Sequence, residues 1–182
     1  GVVFTKNKKL YHKVLADSDR GKQIWDKKFN EKDPRNFLFP ALNLHSNELA
    51  CSIGLSSLKR LDETIKKRLI FCKILNNLLK NKSKLCRSMD FSNYDSPFFI
   101  PIFFKNNNKV TKLKFANKLQ KTIPLNPQYQ YLVYSWKWIK KYLVDNFKTK
   151  NAAEALNNSF NIFLNENYTK KNAIYIVNEI VK

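Results

Sequence analysis

The chain has 182 residues and a formal net charge of +20, from 34 Lys and Arg against 14 Asp and Glu. Its hydrophobic fraction of 43% and aromatic fraction of 14% exclude a chain that is disordered throughout, because such chains lack the apolar side chains that build a core. The length suits one domain, or one domain with an appendage, which can bury about 70% of its unfolded surface.

The positive charge comes mostly from lysines that are interspersed with asparagine and isoleucine along the whole chain. Such an excess favours nucleic acid, anionic lipid or phosphorylated small molecules as partners. Even dispersion is also what a genome rich in Lys, Asn and Ile codons produces, and arginine, the better phosphate reader, is scarce. The charge therefore favours a solvated lysine-rich surface over a dedicated polyanion site.

The three cysteines, Cys51, Cys72 and Cys86, have no metal-ligand spacing. Cys51 and Cys72 lie in a helical pattern and are predicted to be buried. Free thiols fit a reducing, cytoplasmic compartment. Apolar runs stay well short of the ~20 residues that span a bilayer, so a membrane is not an expected partner.

Before residue 45 the pattern predicts one strand, one helix and a loop. The apolar run at 2–5 is typical of a buried strand. A helix is predicted over 8–17, and Gly21 can end it in a left-handed conformation. Residues 22–40 are polar and aromatic and contain two prolines, so we expect a loop.

Apolar residues at steps of three and four predict one long amphipathic helix from about residue 46 to residue 80. They are Leu58, Leu61, Ile65, Leu69, Cys72, Leu75 and Leu79. At 1.5 Å per residue this helix would be about 50 Å long, so we expect it to bridge two layers or two domains. Gly54 inside it indicates close backbone packing.

Beyond residue 80 short strands alternate with helices, a mixed α/β pattern. The predicted elements are strands at 98–104 and 160–164, and helices at 109–121, from Ser135 onward and after Thr169. The predicted inner face is Leu113, Ala116 and Leu119 for the helix at 109–121, and Ala173, Ile176, Val177 and Ile180 for the last helix. The strongly apolar strand at 98–104 is predicted to be central in its sheet, although Pro101 inside it argues for an edge position or a bulge.

No catalytic constellation can be assembled from these residues alone. His12 and His45 lie far apart and outside any metal-ligand pattern. Any lysine could form a Schiff base in principle, but nothing marks one as desolvated. The most informative feature is the polar turn before the long helix, because the free N–H groups at such a corner readily hold an anion.

Several segments, taken in their order and spacing, carry a family resemblance. They are Gly1–Thr5 with Lys9-Leu10-Tyr11, Asp19-Arg20-Gly21, Asn43–Leu61, Pro124–Pro127 with Tyr129, and Phe160–Glu166. Together they resemble the DegT/DnrJ/EryC1/StrS family of sugar aminotransferases, which use pyridoxal phosphate. The resemblance covers nearly all of the chain.

The resemblance implies an α/β chain with the architecture of fold type I aminotransferases. Residues 1–45 would be the truncated end of the large cofactor-binding domain, residues 46–80 the long interdomain helix, and residues 81–182 the small C-terminal α/β domain. The Schiff-base lysine, the Asp that pairs with the pyridine nitrogen and the aromatic that stacks on the ring would lie upstream. The isolated chain would then be an inactive fragment.

The resemblance also places Asn43 and His45 beside the cofactor phosphate of a neighbouring subunit in a homodimer. A neutral amide donor suits that task. His45 stands where the family usually has Arg, and it would donate more weakly and in a pH-dependent way. From the residues alone, Asn43 is a helix-corner residue and His45 is equally compatible with a hydrogen-bonded interface role.

The function implied is amino transfer, with glutamate as donor, to a keto group of a nucleotide-linked sugar, a step of amino-sugar and polysaccharide biosynthesis. The alternative is a non-enzymatic basic module that binds nucleic acid or another polyanion, with lysines on one face beside exposed aromatics. The predicted helices instead have lysine outside and aromatics inside, so nucleic acid is not the expected partner. A catalytically inactive scaffold that only dimerises is a third possibility.

Overall fold

The computed structural model describes residues 3–44, 47–105, 109–128 and 132–182. The chain divides into two compact units. Unit 1 comprises residues 1–54 and 130–149, and unit 2 comprises residues 55–129 and 150–182.

The described residues contain six α-helices and four β-strands. The helices are α1 (Lys8–Ser18), α2 (Glu48–Leu58), α3 (Leu61–Lys82), α4 (Lys109–Leu119), α5 (Lys150–Asn158) and α6 (Lys170–Val181). The strands are β1 (Cys86–Ser88), β2 (Phe99–Phe104), β3 (Leu125–Asn126) and β4 (Ser159–Phe163). Short 3-10 turns occur at Pro34–Asn36, Val133–Ser135 and Ile139–Tyr142.

Unit 2 is built on an antiparallel sheet with the strand order β1-β2-β4-β3. Alternate residues of β2 are buried, as the two-residue period of a strand requires when one face covers a core. Ile100 lies opposite Ile162, and Ile102 lies opposite Phe160, and all four side chains are buried. The predicted strands at 98–104 and 160–164 are confirmed.

Pro101 lies in a central strand, because β2 pairs with β1 on one side and with β4 on the other. The carbonyl oxygen of Pro101 accepts a hydrogen bond from Ser88 Oγ of β1, at 3.0 Å. In an antiparallel strand the N–H and C=O of one residue point to the same side, so the missing N–H also faces β1. That strand ends at Ser88, so the sheet loses no backbone hydrogen bond, and the predicted edge position or bulge is not needed.

Three helices, α3, α4 and α6, complete the core of unit 2, and α4 contributes Ala116 and Leu119. Phe71, Cys72, Leu75 and Leu79 of α3 are buried at steps of one, three and four, and α3 packs against α6. The buried face of α6 is the predicted one: Ala173, Ile176, Val177 and Ile180. The Thr169 N–H donates to Asn172 Oδ1 at 2.8 Å and so begins the helix.

The single helix predicted over 46–80 is wrong, because the chain forms α2 and α3 with a turn at residues 59–60 between them. Arg60 leaves the helical conformation, with φ −118° and ψ 11°, and Asp62 and Glu63 follow in the first turn of α3. Acidic residues favour a helix N-terminus through the helix dipole. Gly54 also differs from expectation, since among the described residues no atom lies within 4 Å of a Cβ placed there.

Three further predictions are corrected. Residues 3–5 form no strand, and Val3 and Phe4 are 63% and 91% exposed. Ser135 ends a 3-10 turn, with its Oγ donating to the Leu132 carbonyl, because its hydroxyl serves the preceding turn and caps no α-helix. Cys51 is exposed, whereas Cys72 is buried as predicted.

Unit 1 begins with the predicted helix, observed as α1 over Lys8–Ser18. Asn7 caps it, since its Oδ1 accepts from the N–H groups of Lys9 and Leu10. Gly21 follows with φ +76°, the left-handed conformation that the sequence predicted. Residues 22–40 form a loop whose one regular piece is the turn at Pro34–Asn36.

Candidate functional site

The backbone holds Asn43 beside the end of α1. The Arg20 N–H donates to the Leu42 carbonyl at 2.8 Å, and the Leu44 N–H donates to the Ser18 carbonyl at 2.9 Å. These two bonds make an isolated antiparallel bridge between Asp19 and Asn43. The backbone bonds of its two neighbours therefore fix the position of Asn43.

The Asn43 side chain is exposed, and among the described residues no hydrogen bond occupies its amide. An amide in this position can donate to an anionic oxygen. His45 and Ser46 lie outside the described residues, so the predicted role of His45 stays a prediction. The next described residue, Asn47, caps α2, since its Oδ1 accepts from the Ala50 N–H at 2.8 Å.

An ion cluster, in which Asp19 and Lys22 are buried and Arg20 and Glu31 are exposed, supports the end of α1. Lys22 Nζ lies 3.1 Å from Asp19 Oδ2 and 3.6 Å from Glu31 Oε2, and Arg20 Nε donates to Asp19 Oδ1 at 2.9 Å. Burial alone raises the pKa of Asp19, but the hydrogen bonds and charges of Lys22 and Arg20 bring it below its usual value. Asp19 is therefore a carboxylate at neutral pH, and it pins the turn to which the Asn43 segment is bonded.

Gly21 closes the same turn. Its N–H donates to the Ala16 carbonyl and its carbonyl accepts from the Leu38 N–H, both at 2.8 Å. A Cβ at this position would lie 2.1 Å from the Phe39 carbonyl oxygen, so the chain packs closer here than any other residue type allows. The Asp19-Arg20-Gly21 motif is thus a structural support for the Asn43 segment.

Two lysines are buried among the described residues, and both have other partners. Lys22 belongs to the ion cluster of unit 1. Lys112 lies in α4 of unit 2, is 0% exposed, and donates from Nζ to the Pro127 carbonyl at 3.0 Å. Burial lowers the pKa of Lys112 to about 8, yet its enclosure excludes a cofactor from Nζ. Neither buried lysine is therefore open to a cofactor.

Sequence reasoning missed the burial of Lys112. The predicted inner face of this helix was Leu113, Ala116 and Leu119, whereas the buried residues are Lys112, Ala116 and Leu119. Lys112 lies four residues before Ala116, which lies three residues before Leu119, so the helical spacing itself was compatible with a buried Lys112. A lysine is assigned to the solvent side by default because its charge is costly to bury.

Unit 1 also has a large apolar groove of 810 Å³ beside α1. Its apolar wall comprises Val3, Tyr11, Val14, Leu15, Leu42 and Leu44. Separately, Leu49, Ile53, Leu55 and Leu58 of α2 are all exposed. Contiguous apolar surface of this kind marks sites where another polypeptide packs.

In the described part of the chain, no group of three or more His, Cys, Asp or Glu side chains lies close enough to hold a metal ion. None of the described helices combines the length and the apolarity needed to cross a membrane.

Solved structures of aminotransferases and a related enzyme share this fold. The chain is similar to Helicobacter pylori PseC, an aminotransferase involved in pseudoaminic acid biosynthesis, with 17% identity and a TM-score of 0.57 over 97% of this chain and 46% of that one. It is similar to the putative sugar aminotransferase Spr1654 from Streptococcus pneumoniae, with 14% identity and a TM-score of 0.57 over 97% and 43% of the two chains. It is also similar to E. coli GDP-4-keto-6-deoxy-D-mannose-3-dehydratase, with 17% identity and a TM-score of 0.58 over 98% and 49%.

These similarities establish the fold as that of fold type I aminotransferases, and the chain spans about half the length of the proteins it matches. The Spr1654 structures include pyridoxal phosphate and pyridoxamine phosphate forms, and the E. coli enzyme holds hydrated pyridoxal phosphate. A search of curated protein sequences found no significant match.

The sequence itself gives the assignment. The profile of one family matches residues 1–181, almost the entire chain, and pyridoxal phosphate is the cofactor associated with that family. This chain belongs to the DegT/DnrJ/EryC1/StrS aminotransferase family.

Proposed function

We propose that this chain is the C-terminal part of a pyridoxal-phosphate-dependent aminotransferase that acts on a nucleotide-linked keto sugar in amino-sugar biosynthesis. The observation that carries the proposal is the family match over residues 1–181, together with structural neighbours about twice as long as this chain. The division into an end of the large domain (1–45), an interdomain segment (46–80) and a small C-terminal domain (81–182) is part of the proposal.

The chain's own contribution to the cofactor site would come from Asn43. Its side-chain amide is exposed and can donate to a phosphate oxygen, while backbone bonds of Leu42 and Leu44 hold the segment in place. When bound, pyridoxal phosphate supplies the electron sink for amino transfer. Asn43 would orient the cofactor by its phosphate, and His45 would stand near the same group.

The apolar surfaces support a homodimer in the complete enzyme. Leu42 and Leu44, on either side of Asn43, line the 810 Å³ groove beside α1, and the exposed apolar residues of α2 follow soon after in sequence. A subunit that covered these surfaces would bring its cofactor within reach of Asn43. Salt bridges among the described residues engage Lys22, Lys67, Lys80 and Lys182, and the positive charge of the remaining lysines would suit a phosphorylated substrate in the cytoplasm.

The 182-residue chain by itself would not catalyse amino transfer. The reaction needs a lysine that is desolvated and accessible. Lys22 is ion-paired and Lys112 is enclosed, so neither meets both conditions. Catalysis would need a polypeptide that carries a lysine in a Gly-Glu-Gly-Gly-like context, and the codons upstream of Gly1 show whether one is encoded in frame.

The role of Asn43 is testable in a product that includes the upstream frame. Asn43→Ala removes one charge-assisted hydrogen bond, so we expect the dissociation constant for pyridoxal phosphate to rise about tenfold. Asn117→Ala removes a matched exposed amide from α4 in unit 2 and should leave the constant unchanged. Equal effects of the two substitutions would show that Asn43 does not contact the cofactor.

A further inference from the structure

One stretch of unit 1 combines exposed apolar side chains with lysines. It is the 140–148 segment, which begins in the last 3-10 turn and continues without regular structure. Val144 is fully exposed, and Tyr142 and Phe147 are 47% and 45% exposed. Every residue at 144–149 is exposed, so the apolar groups of this segment lie at the surface of unit 1.

The start of the 140–148 segment is anchored to the loop after α1. Trp138 Nε1–H donates to the Pro34 carbonyl at 2.8 Å, and the Lys137 N–H donates to the Arg35 carbonyl at 3.4 Å. The Tyr142 ring meets the Trp138 ring edge to face, with centroids 6.3 Å apart. The segment therefore starts from a fixed point, and its exposure is a property of the folded unit.

The exposed apolar groups have lysines beside them. Lys140, Lys141 and Lys148 are exposed, and Lys141 Nζ lies 5.0 Å from the centroid of the Tyr142 ring. The segment has one acidic residue, Asp145, whose Oδ1 already accepts a backbone hydrogen bond at 3.1 Å. Positive charge and apolar surface thus occur together within nine consecutive residues.

This combination fits the surface of an anionic bilayer. Tyrosine is enriched at the level of the lipid headgroups, exposed apolar groups bury at the boundary with the acyl chains, and each lysine near an anionic leaflet adds attraction. A nucleic-acid surface would favour arginine, whose planar fork reads phosphates and bases, and the segment has no arginine. Its fully exposed valine also lacks the flat ring that base stacking needs.

We propose that the 140–148 segment binds the surface of a membrane that contains anionic phospholipid. Tyr142, Val144 and Phe147 would enter the headgroup region, and the lysines would lie against the lipid phosphates. The expected absence of a membrane partner rests on the length needed to span a bilayer, and attachment at its surface requires no span. The binding would not depend on amino transfer.

Sedimentation of the 182-residue chain with lipid vesicles measures this binding. The vesicles contain phosphatidylglycerol and phosphatidylcholine in equal amounts, and vesicles of phosphatidylcholine alone are the comparison. We expect the chain to sediment with the anionic vesicles and to stay in solution with the neutral ones. Raising the ionic strength from about 0.1 M to about 1 M shortens the Debye length from about 10 Å to about 3 Å, so the partition coefficient should fall at least about tenfold.

The contribution of the lysines is tested with paired variants. Lys140→Ala with Lys141→Ala should lower the partition coefficient about twentyfold, since each lysine near an anionic surface contributes about fivefold. Lys170→Ala with Lys171→Ala removes the same charge from exposed positions at the start of α6 in unit 2. This control pair should lower the partition coefficient less than about threefold.

The apolar contact is tested with matched valine variants. Val144→Ser should lower the partition coefficient at least about fivefold, because it removes an apolar group that the bilayer would cover. Val181 ends α6 in unit 2 and is 49% exposed, so Val181→Ser should change the partition coefficient less than about twofold. Circular dichroism verifies that every variant is folded.

Three results would overturn the proposal. Equal weakening by the two lysine pairs would show that the vesicles attract the diffuse charge of +20. Equal effects of Val144→Ser and Val181→Ser would show that Val144 does not enter the bilayer. Displacement of the vesicles by single-stranded RNA, whose own binding is lost in the Lys140 and Lys141 variant and unchanged in Val144→Ser, would assign the segment to nucleic acid.

Discussion

Gly21→Ala should lower the free energy of unfolding of unit 1, because neighbouring backbone occupies the space that a side chain would take. Gly21 has φ +76°, a conformation that costs an L-residue about 1–2 kcal/mol. The added Cβ would lie 2.1 Å from the Phe39 carbonyl oxygen, which is backbone and cannot rotate away. Moving Phe39 would strain the neighbouring bond from the Leu38 N–H to the Gly21 carbonyl, worth about 1 kcal/mol.

Together these terms predict a loss of about 2–3 kcal/mol in the free energy of unfolding of unit 1. Urea unfolding followed by tryptophan emission measures it, because every tryptophan lies in unit 1. Gly54→Ala is the matched control, since Gly54 lies inside α2 with no described atom near its Cβ position. That substitution should stabilise by about 0.5–1 kcal/mol.

The comparison has a clear negative result. If Gly21→Ala lowers the free energy of unfolding by less than about 1 kcal/mol, alanine is not strained in the left-handed turn as we expect. The support of the Asn43 segment by the Asp19-Arg20-Gly21 turn would then be wrong as well.

Four further predictions concern the ion cluster, the core, the buried lysine and the thiols. Asp19→Asn should destabilise unit 1 by about 2–3 kcal/mol at neutral pH, since it leaves Lys22 buried beside Glu31 alone. Folding lowers the pKa of Asp19 below the usual 3.8, so the carboxylate stabilises unit 1 above that pH. The difference in stability between the wild type and the variant should therefore shrink as the pH falls through the folded-state pKa. Leu75→Ala should lower the free energy of unfolding by about 3 kcal/mol, measured by urea unfolding followed by circular dichroism. Leu55 is 61% exposed in α2, so Leu55→Ala should lower it by less than about 0.5 kcal/mol. Similar losses in the two variants would contradict the division into two helices with different surroundings. Folding lowers the pKa of Lys112 from 10.5 to about 8. The folded state therefore releases the proton at a lower pH than the unfolded state, and the stability of the protein should rise between pH 8 and pH 10.5. Lys112→Met should be more stable than the wild type at pH 7 and its thermal unfolding should depend less on pH, and an unchanged pH dependence would refute the burial of Lys112. Thiol titration of the native chain should detect Cys51 only, because burial raises the pKa of Cys72 and Cys86 to about 12, and rapid reaction of all three thiols would contradict this.

Periodicity predicted the elements whose two faces differ in the final fold. The buried face of α6 and the strand β2 follow directly from steps of three and four and of two, because each packs one face on a single core. These are local patterns read against one neighbour, and the sequence contains them in full.

The break between α2 and α3 could not be predicted in the same way. The apolar stripe runs without interruption from Leu58 to Leu61, yet Leu58 is exposed and the α3 residues further along are buried. What differs is the surroundings of each half, which the stripe does not encode. The acidic pair Asp62 and Glu63 was the one local sign of a new helix start.

The candidate sites also differ in how far the sequence could predict them. The corner around Asn43 was visible in sequence because its parts are adjacent, although its bond to the end of α1 joins residues more than 20 positions apart. The 140–148 segment falls within the helix predicted from Ser135 onward, whereas the chain there is anchored by the bond from Trp138 to Pro34, 104 residues away, and no spacing rule relates such positions. The role of His45 stays a prediction, since it lies outside the described residues.

The most direct test of the account mixes the 182-residue chain with a polypeptide that supplies the Schiff-base lysine and the rest of the proposed large domain. Amino transfer from glutamate to a nucleotide-linked keto sugar is then measured for each part and for the mixture. We predict no transfer by this chain alone, transfer by the mixture, and weaker cofactor retention when Asn43→Ala replaces the wild type. Transfer by this chain alone, or a stable mixture that neither retains pyridoxal phosphate nor transfers an amino group, would contradict the proposed function.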